Sequence, residues 1–382
     1  MKKEKSIGNK MKARIVIGAN YGDEGKGTVT ANLTNDSVIN NEKVLNILTN
    51  GGAQRGHSII KNTGEDVNVF HTFQHFGSGT YHGADTYYSC YFILNPMQFV
   101  KEYNELLIKP KNIYRDYNCR WSTPYDSFAN LIEEQQRKRK ASCCMGIWNT
   151  IKRYNTYTKG GTKEHSMVVS FDDFMRKPDI EKYGYITRIR KYYEDLIDIP
   201  REFKDIWSSD GIIVHFIEDC KTMYFKTSVV DLKYLSYDTI IFENGQGLLL
   251  SDTGKDTFDT TPSNTGIQYA KELLSTLNVD DITAHYVTRP YLTRHGDGEI
   301  LDSDNRNNIS RDIQEDRTNH YNDFQGHFRY GKLDIPLLKK RILEDAGDIK
   351  FTLEVTHCDE MDRVAEFKKE FYSINTIDSP II

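Results

Sequence analysis

The stretch that most constrains the fold lies near the start of the chain. Residues 13–19 (ARIVIGA) are a short β-branched apolar run, a glycine-bearing loop follows, and TVTANL then carries a helical pattern. A strand, a tight loop and a helix in that order open an α/β unit. In such a unit the loop joins the carboxyl end of the strand to the amino end of the helix, where backbone N–H groups favour an anion. The loop reads Gly22-Asp23-Glu24-Gly25-Lys26-Gly27. Its glycines let the backbone approach a phosphate, and Lys26 adds a cation. It is not a Walker A loop: Gly18 and the Gly25-Lys26-Gly27 step meet the GxxxxGK[ST] spacing only loosely, and glycine follows the lysine in place of a hydroxyl residue. Alone, the segment also reads as a charged turn, and only its context decides between the two.

That context is a series of strands ending on polar or glycine residues. Val44–Leu48 reads as a buried strand running into Thr49-Asn50-Gly51-Gly52. Residues 238–243 form another, ending in Asn244-Gly245-Gln246-Gly247, followed by strands at 284–288 and 350–355, the last ending in Thr356-His357-Cys358-Asp359. Residues 96–107 read as a helix opened by Pro96, and 126–140 as a helix with acid at its start and an RKRK tail at its end, a solvated face. The stretch 150–235 is rich in Tyr, Lys and Asp without motif spacing and is assigned to helices and loops. The expected fold is α/β: a mainly parallel central sheet flanked by helices, a P-loop-like phosphate loop after the first strand, and inserted helical subdomains. Residues 1–12 are expected to be a flexible tail and 13–382 a single domain. In an open α/β sheet ligands bind at the carboxyl ends of the strands, so these endings should converge on one cleft.

Composition bounds the partners. A formal charge of −5 and a pI near 6.1 give no polycationic signal, so a small molecule is expected in place of nucleic acid. Mean hydropathy is −0.62, and no stretch approaches the roughly 20 apolar residues of a membrane span. The charged start has no apolar signal region behind it. Six cysteines without a CxxC pair argue against zinc and against a disulfide framework, which makes the cytoplasm the expected location.

Several blocks together resemble the adenylosuccinate synthetase family. Asn20-Tyr21-Gly22-Asp23-Glu24-Gly25-Lys26-Gly27 is similar to its QWGDEGKG signature, with Tyr21 in place of Trp. Gly51-Gly52-Ala53-Gln54-Arg55-Gly56-His57-Ser58 resembles GGxNAGHT, and His71-Thr72-Phe73 with Gly77-Ser78-Gly79 resembles HLIPSG. Phe242-Glu243-Asn244-Gly245-Gln246-Gly247 followed by three leucines resembles FEGAQGTLL, and Thr261-Pro262-Ser263-Asn264 the VTSSN after it. Tyr291 to Gly298 resembles YxTRxGxG, Arg329 to Asp334 the end of GRxRRxGWLD, and Thr356-His357-Cys358-Asp359 stands where the family has TKLD. One order across residues 14–360 is far more specific than any single block.

The resemblance implies a ligase that uses GTP and Mg²⁺ to join L-aspartate to C6 of a purine nucleotide. In that reaction GTP phosphorylates O6 of IMP, then the aspartate amine attacks C6 and expels phosphate, giving adenylosuccinate. Asp23 matches the base that removes the N1 proton and, with the Gly56 carbonyl, a contact to Mg²⁺. His57 matches a histidine that assists phosphoryl transfer, where charge builds on oxygen and a donor is needed. Lys26 matches a cation that neutralises phosphate. Gly22, Glu24, Gly25, Gly27 and Thr28, with Gln54, Gly56 and Ser58, take nucleotide-binding positions, as do Gln246 and Thr261. Thr356, His357 and Asp359 fall at the guanine-reading step, where a carboxylate accepts from N1–H and N2–H. Ser142 and Cys143 fall where the family has the phosphate-binding TTGRGIG; a hydroxyl is the better donor, and Cys143 and Cys144 read as small core residues without a base beside them. The resemblance also implies a homodimer in which an arginine crosses to the partner's substrate, and Lys152-Arg153 lies near that place.

The departures bear on substrate. The aspartate loop of the family carries several arginines, of which Gln325-Gly326-His327-Phe328-Arg329 keeps only Arg329. His357 replaces a stacking lysine, and with the chain ending at Ile382 the family's segment over the guanine is expected to be short or missing. Phage-encoded relatives make 2-aminoadenylosuccinate from dGMP, commonly with a small hydroxyl residue in place of the loop aspartate. Asp23 is kept here, which favours IMP and leaves dGMP as the alternative acceptor. A non-catalytic purine-nucleotide-binding protein is the alternative of another class; Asp23, Lys26 and His57 argue against it, since binding alone needs no base.

Overall fold

The computed structural model describes residues 11–62, 67–137, 140, 142–159, 167–252, 260–316, 319, 321, 323–361 and 364–373. The opening apolar run is the strand Met11–Gly18, near the middle of an eight-stranded sheet. From one edge to the other the strands are Phe351–Val355, Val279–Thr288, Met11–Gly18, Thr239–Gly247, Val44–Leu48, Asp85–Tyr88, Ile113–Arg115 and Ser228–Val229. Every neighbouring pair is parallel. Parallel neighbours need crossovers, so both faces of the sheet are covered and its central strands read as continuous apolar runs.

The alternation of side chains along the first strand shows the two faces. Ala13, Ile15 and Ile17 enter a core with Leu45, Phe242 and Tyr286, roofed by Leu338 and Ile342 of the helix Ile335–Ala346. Val16, between them, points the other way, with Ile241 and Val287, against Val29 and Leu33 of the helix Lys26–Ile39. A separate aromatic-rich core holds Trp121, Tyr125, Phe171, Tyr185 and Phe216. It lies among the helices Pro124–Arg137, Phe171–Arg176, Asp179–Glu194 and Asp210–Lys226, the last three of which fall in the 150–235 stretch assigned to helices and loops.

Boundaries differ from expectation where local chemistry outweighs periodicity. The first strand starts at Met11, so Met11 and Lys12 pair in the sheet and do not belong to a tail; residues 1–10 lie outside the described residues. The helix at Pro96 ends at Glu105, with Asn95 capping it by accepting from the Gln98 N–H at 3.0 Å. The next helix runs Pro124–Arg137, two residues earlier than its acidic start suggested. Thr239–Gly247 continues through the run Asn244-Gly245-Gln246-Gly247 expected to end it, because Gly247 still pairs with Gly18 after a register shift. Gln246 holds that irregularity at φ 58, a left-handed conformation unusual for a residue with a side chain. Among the described residues no helix is long and apolar enough to cross a membrane.

Candidate active site

The loop after the first strand is braced from within. The Glu24 carboxylate, 2 % exposed, accepts from the N–H groups of Gly22 (2.7 Å) and Asn20 (3.1 Å). Burial raises its pKa against the pull of Lys26. Lys26 is equally buried and donates to the Gly22 carbonyl at 2.6 Å, with Glu24 at 3.5 Å. The helix begins at Lys26, ahead of the first bonds to Gly25 O from Thr28 and Val29, so the N–H groups of its first turn lie at the loop. Gly27 permits this placement: a Cβ there would lie 2.9 Å from the Ser58 carbonyl.

The second glycine-rich segment brings His57 to the end of the Val44–Leu48 strand. Its Nδ1 lies 2.5 Å from Glu243 Oε1, and Arg55 Nη2 lies 3.0 Å from both atoms. Ser78 completes the carboxylate's surroundings, its N–H 2.9 Å from Oε2 and its hydroxyl 2.7 Å from Oε1. Burial pushes Glu243 up, but Arg55 and His57 hold it down to about 2. Burial and then Arg55 hold His57 down to about 4, so near neutral pH the ring is uncharged. With Glu243 ionised at 2.5 Å, the hydrogen-bond partners assign the proton to Nδ1 and leave Nε2 bare. The donor expected here thus requires a second proton on the ring, which burial and Arg55 oppose.

One cleft gathers these ends. Gly22, Asp23, Gln54, Gly56, His57, Ser142, Cys143, Gln246 and Thr261, nine of the residues expected to form the site, line it together. Among the described residues, both polar atoms of the Gln54 amide and Gln246 Oε1 are buried without partners, as groups awaiting a polar ligand edge would be. Ser142 Oγ is 3.0 Å from Asn130 Oδ1 and accepts from the Cys144 N–H at 3.1 Å. Burial raises the Cys143 and Cys144 thiols to about 11 and about 12, which keeps them protonated and poor nucleophiles.

Other expected residues lie outside the cleft lining. Glu24, Gly25, Lys26, Gly27 and Thr28 form the underside and helical end of the loop, and Ser58 bonds Thr72 at 2.8 Å in the following hairpin. Thr356 touches the loop's far side: its hydroxyl donates to the Glu24 carbonyl at 2.6 Å. His357 is left-handed at φ 54, with its pKa lowered to about 3 by burial and then by Arg289. Asp359 is exposed in the turn Cys358–Glu360. Arg329 does not line the cleft; its guanidinium donates to the carbonyl of Gly298, which does. Arg153 is spent internally, bonding Asp126 twice at 2.9 Å and the Met167 carbonyl at 2.8 Å, so it is not placed to reach a partner chain. Lys152 beside it lines the cleft.

The sequence reading missed Arg55, Arg294 and Trp148 in the lining. Arg294 stacks over Tyr21, 4.9 Å from the ring centre, and stood within a quoted block where its charge was the available signal. Trp148 had no signal beyond its proximity to Cys143.

The adenylosuccinate synthetase family model matches residues 15–369. The chain belongs to that family. It is therefore a ligase forming a C–N bond, in a family that uses GTP and Mg²⁺ and takes purine nucleotide and aspartate as substrates. Adenylosuccinate synthetase of Thermoplasma volcanium is 25% identical over 353 residues, covering 88% of this chain and 74% of the relative. That of Francisella tularensis subsp. novicida is 24% identical over 355 residues, covering 85% and 73%. The fold is shared with fully ligated adenylosuccinate synthetase from Plasmodium falciparum, at a TM-score of 0.65 and 17% identity over 91% of this chain and 76% of that one. It is also shared with succinoaminodeoxyadenylate synthetase of cyanophage S-2L, solved with dGMP and with dATP as energy donor, at 0.56 and 12% over 90% and 84%.

Proposed function

We propose that this family member couples L-aspartate to C6 of IMP at the expense of GTP, giving adenylosuccinate. The observation that carries this reading is that Asp23 and His57, from two separate glycine-rich segments, line one cleft. Asp23 takes the N1 proton as the γ-phosphoryl group passes from GTP to O6; the aspartate amine then attacks C6, phosphate leaves, and the amine loses a proton. His57 steadies the transferring phosphoryl group. Its bare Nε2 takes a proton from solvent water when the arriving phosphoryl charge stabilises the cationic ring, and the ring then donates where charge builds.

Thr356, His357 and Asp359 lie across the loop from the cleft, a placement that suits a triphosphate whose base sits on one side and whose acceptor sits on the other. The Asp23 carboxylate and the Gly56 carbonyl would hold Mg²⁺. Among the described residues no three His, Cys, Asp or Glu form a cage, which suits a magnesium ion held mainly by phosphate and water and supplying charge neutralisation when bound. Arg137, Lys152 and Arg294 line the same cleft and bring positive charge toward the aspartate carboxylates and the nucleotide phosphate. The family arrangement supports a homodimer acting in the cytoplasm.

The test is a coupled assay of purified protein with GTP, Mg²⁺ and aspartate, following phosphate release and product absorbance with IMP or dGMP as acceptor. Adenylosuccinate from IMP is expected. Turnover with dGMP alone would replace IMP by the acceptor bound in the cyanophage protein, and nucleotide binding without any turnover would leave a binding protein.

A further inference from the structure

Arg55 and Gly245 are two departures from the quoted motifs, both standing where those motifs have alanine, and the fold puts them in contact. A Cβ on Gly245 would lie 3.0 Å from Arg55 Cγ and 3.3 Å from its Cδ. The missing methyl is thus the space through which the arginine stem passes. At its end the guanidinium is 2 % exposed, with Nη2 donating to Glu243 Oε1 at 3.0 Å and lying as close to His57 Nδ1. Its Nε and Nη1 are buried without partners among the described residues. Leaving two charged N–H groups unpaired is unfavourable, so packing alone does not account for an arginine here. What the side chain does achieve is specific: it fixes the carboxylate oxygen that faces the imidazole.

We propose that Arg55 is a positioning residue for His57, holding Glu243 Oε1 so that the ring keeps its plane and its Nδ1 proton toward the carboxylate, and that Gly245 exists to admit it. This rests on the reading of His57 as a participant in phosphoryl transfer. Without Arg55, Glu243 keeps its bonds to Ser78 and His57 but loses its ionic partner at Oε1, the oxygen that faces the ring. With Arg55, that oxygen is held by the guanidinium as well as by the Ser78 hydroxyl, and the imidazole inherits the constraint. The other charged groups around the dyad are Lys26 on the helix behind it, Asp23 on the cleft side, and Glu102 beyond the guanidinium. None has a hydrogen bond to Nδ1, which leaves Arg55 and Glu243 as the pair that orients the ring.

The experiment compares Arg55→Met, Arg55→Lys, Gly245→Ala and the double variant Arg55→Ala/Gly245→Ala by steady-state kinetics and by nitrogen-15 histidine NMR at one pH. Arg55→Met is expected to lower kcat by about 10–100-fold with the nucleotide KM within about threefold, the scale of a small misplacement of a reacting group. Arg55→Lys should restore part of kcat. Gly245→Ala should lower kcat in the native background by displacing the arginine stem, and should cost less than about twofold once position 55 is alanine, since the stem is gone. The His57 Nδ1 resonance, assigned by its loss in His57→Asn, should move in Arg55→Met and in Gly245→Ala. An unmoved resonance or an unchanged kcat in folded Arg55→Met overturns the proposal; if that variant does not fold, Gly245→Ala decides by the same two readouts. Should His57→Asn itself keep full turnover, the functional reading fails, while the resonance still reports whether Arg55 orients the ring.

Discussion

His75 is the cleanest test of how burial governs titration in this chain. It is fully buried; its Nε2 accepts from the Asn95 N–H at 2.9 Å and its Nδ1 lies 3.0 Å from the Tyr88 hydroxyl. Burial first and Arg55 second hold it down to about 3, from an ordinary value of 6.5. The unfolded chain therefore binds a proton below pH 6.5 that the native state refuses until about pH 3, so the histidine's contribution falls as pH falls through that window. Integrating between pH 7 and pH 5 gives a loss of about 2 kcal/mol from this one group. Buried acids with raised pKa, Glu24 and Asp345 among them, work in the opposite direction, so the readout is a difference between proteins. Urea unfolding, followed by the fluorescence of buried Trp121 and Trp207, would be measured at both pH values for the native protein and for His75→Gln. The native protein should lose about 2 kcal/mol more than the variant on going to pH 5. Equal losses within about 0.5 kcal/mol would mean that the ring is protonated in place or that its surroundings open to water.

Three further outcomes follow from the site. Asp23→Ala should abolish ligation while triphosphate binding, supported by the loop backbone, stays measurable by thermal shift; turnover within tenfold of native, about 1.4 kcal/mol of barrier, contradicts its role as base. GTP should be preferred over ATP by roughly 10–100-fold in kcat/KM, with Asp359→Asn eroding the preference; equal use of both would reduce the Thr356-to-Asp359 segment to a strand end. Asp126→Ala leaves the Arg153 guanidinium buried without its ionic partner and should cost about 3–5 kcal/mol in urea unfolding. A loss below about 1 kcal/mol would show that water reaches that arginine.

The parts of the site legible in the sequence are those that one local pattern specifies. Strand, glycine loop and helix announce themselves within residues 13–33, and Asp23, Gln54, His57 and Gln246 sit where such loops end, so the structure finds them together. What the sequence hides is long-range or conformational. Arg55 occupies an ordinary position in a motif, and only the packing of Gly245 against its stem shows why it is there. Arg153 offered a charge near an expected interface, yet Asp126, Trp121 and Met167 engage all three of its nitrogens. The run Asn244-Gly245-Gln246-Gly247 has turn composition, but the parallel pairing of Gly247 with Gly18 draws it into the sheet and moves the irregularity to Gln246.

The same contrast explains how a short, glycine-rich loop can hold steady the Asp23 carboxylate proposed as the base. Glycines lower the cost of reaching a phosphate but leave the backbone free, so the restraint comes from elsewhere in the chain. Arg289 donates from Nε to the Asp23 carbonyl at 2.7 Å and is held in turn by Asp316 at 2.7 Å and Tyr291 at 3.2 Å, whose hydroxyl bonds Glu360. Thr356 holds the next carbonyl, that of Glu24. Two consecutive peptides of the loop are thus pinned by the ends of the Val279–Thr288 and Phe351–Val355 strands. Val279–Thr288 pairs with the first strand and Phe351–Val355 lies beyond it, while His57 bonds Glu243 of the strand on the other side, so the Asp23 wall and the His57 wall are anchored to different neighbours. A change at the Arg289 anchor is expected to move Asp23 without moving His57, and a change at Arg55 to do the reverse. Variants at these two arginines should therefore combine additively in the logarithm of kcat, and marked non-additivity would show one continuous network in place of two independent walls.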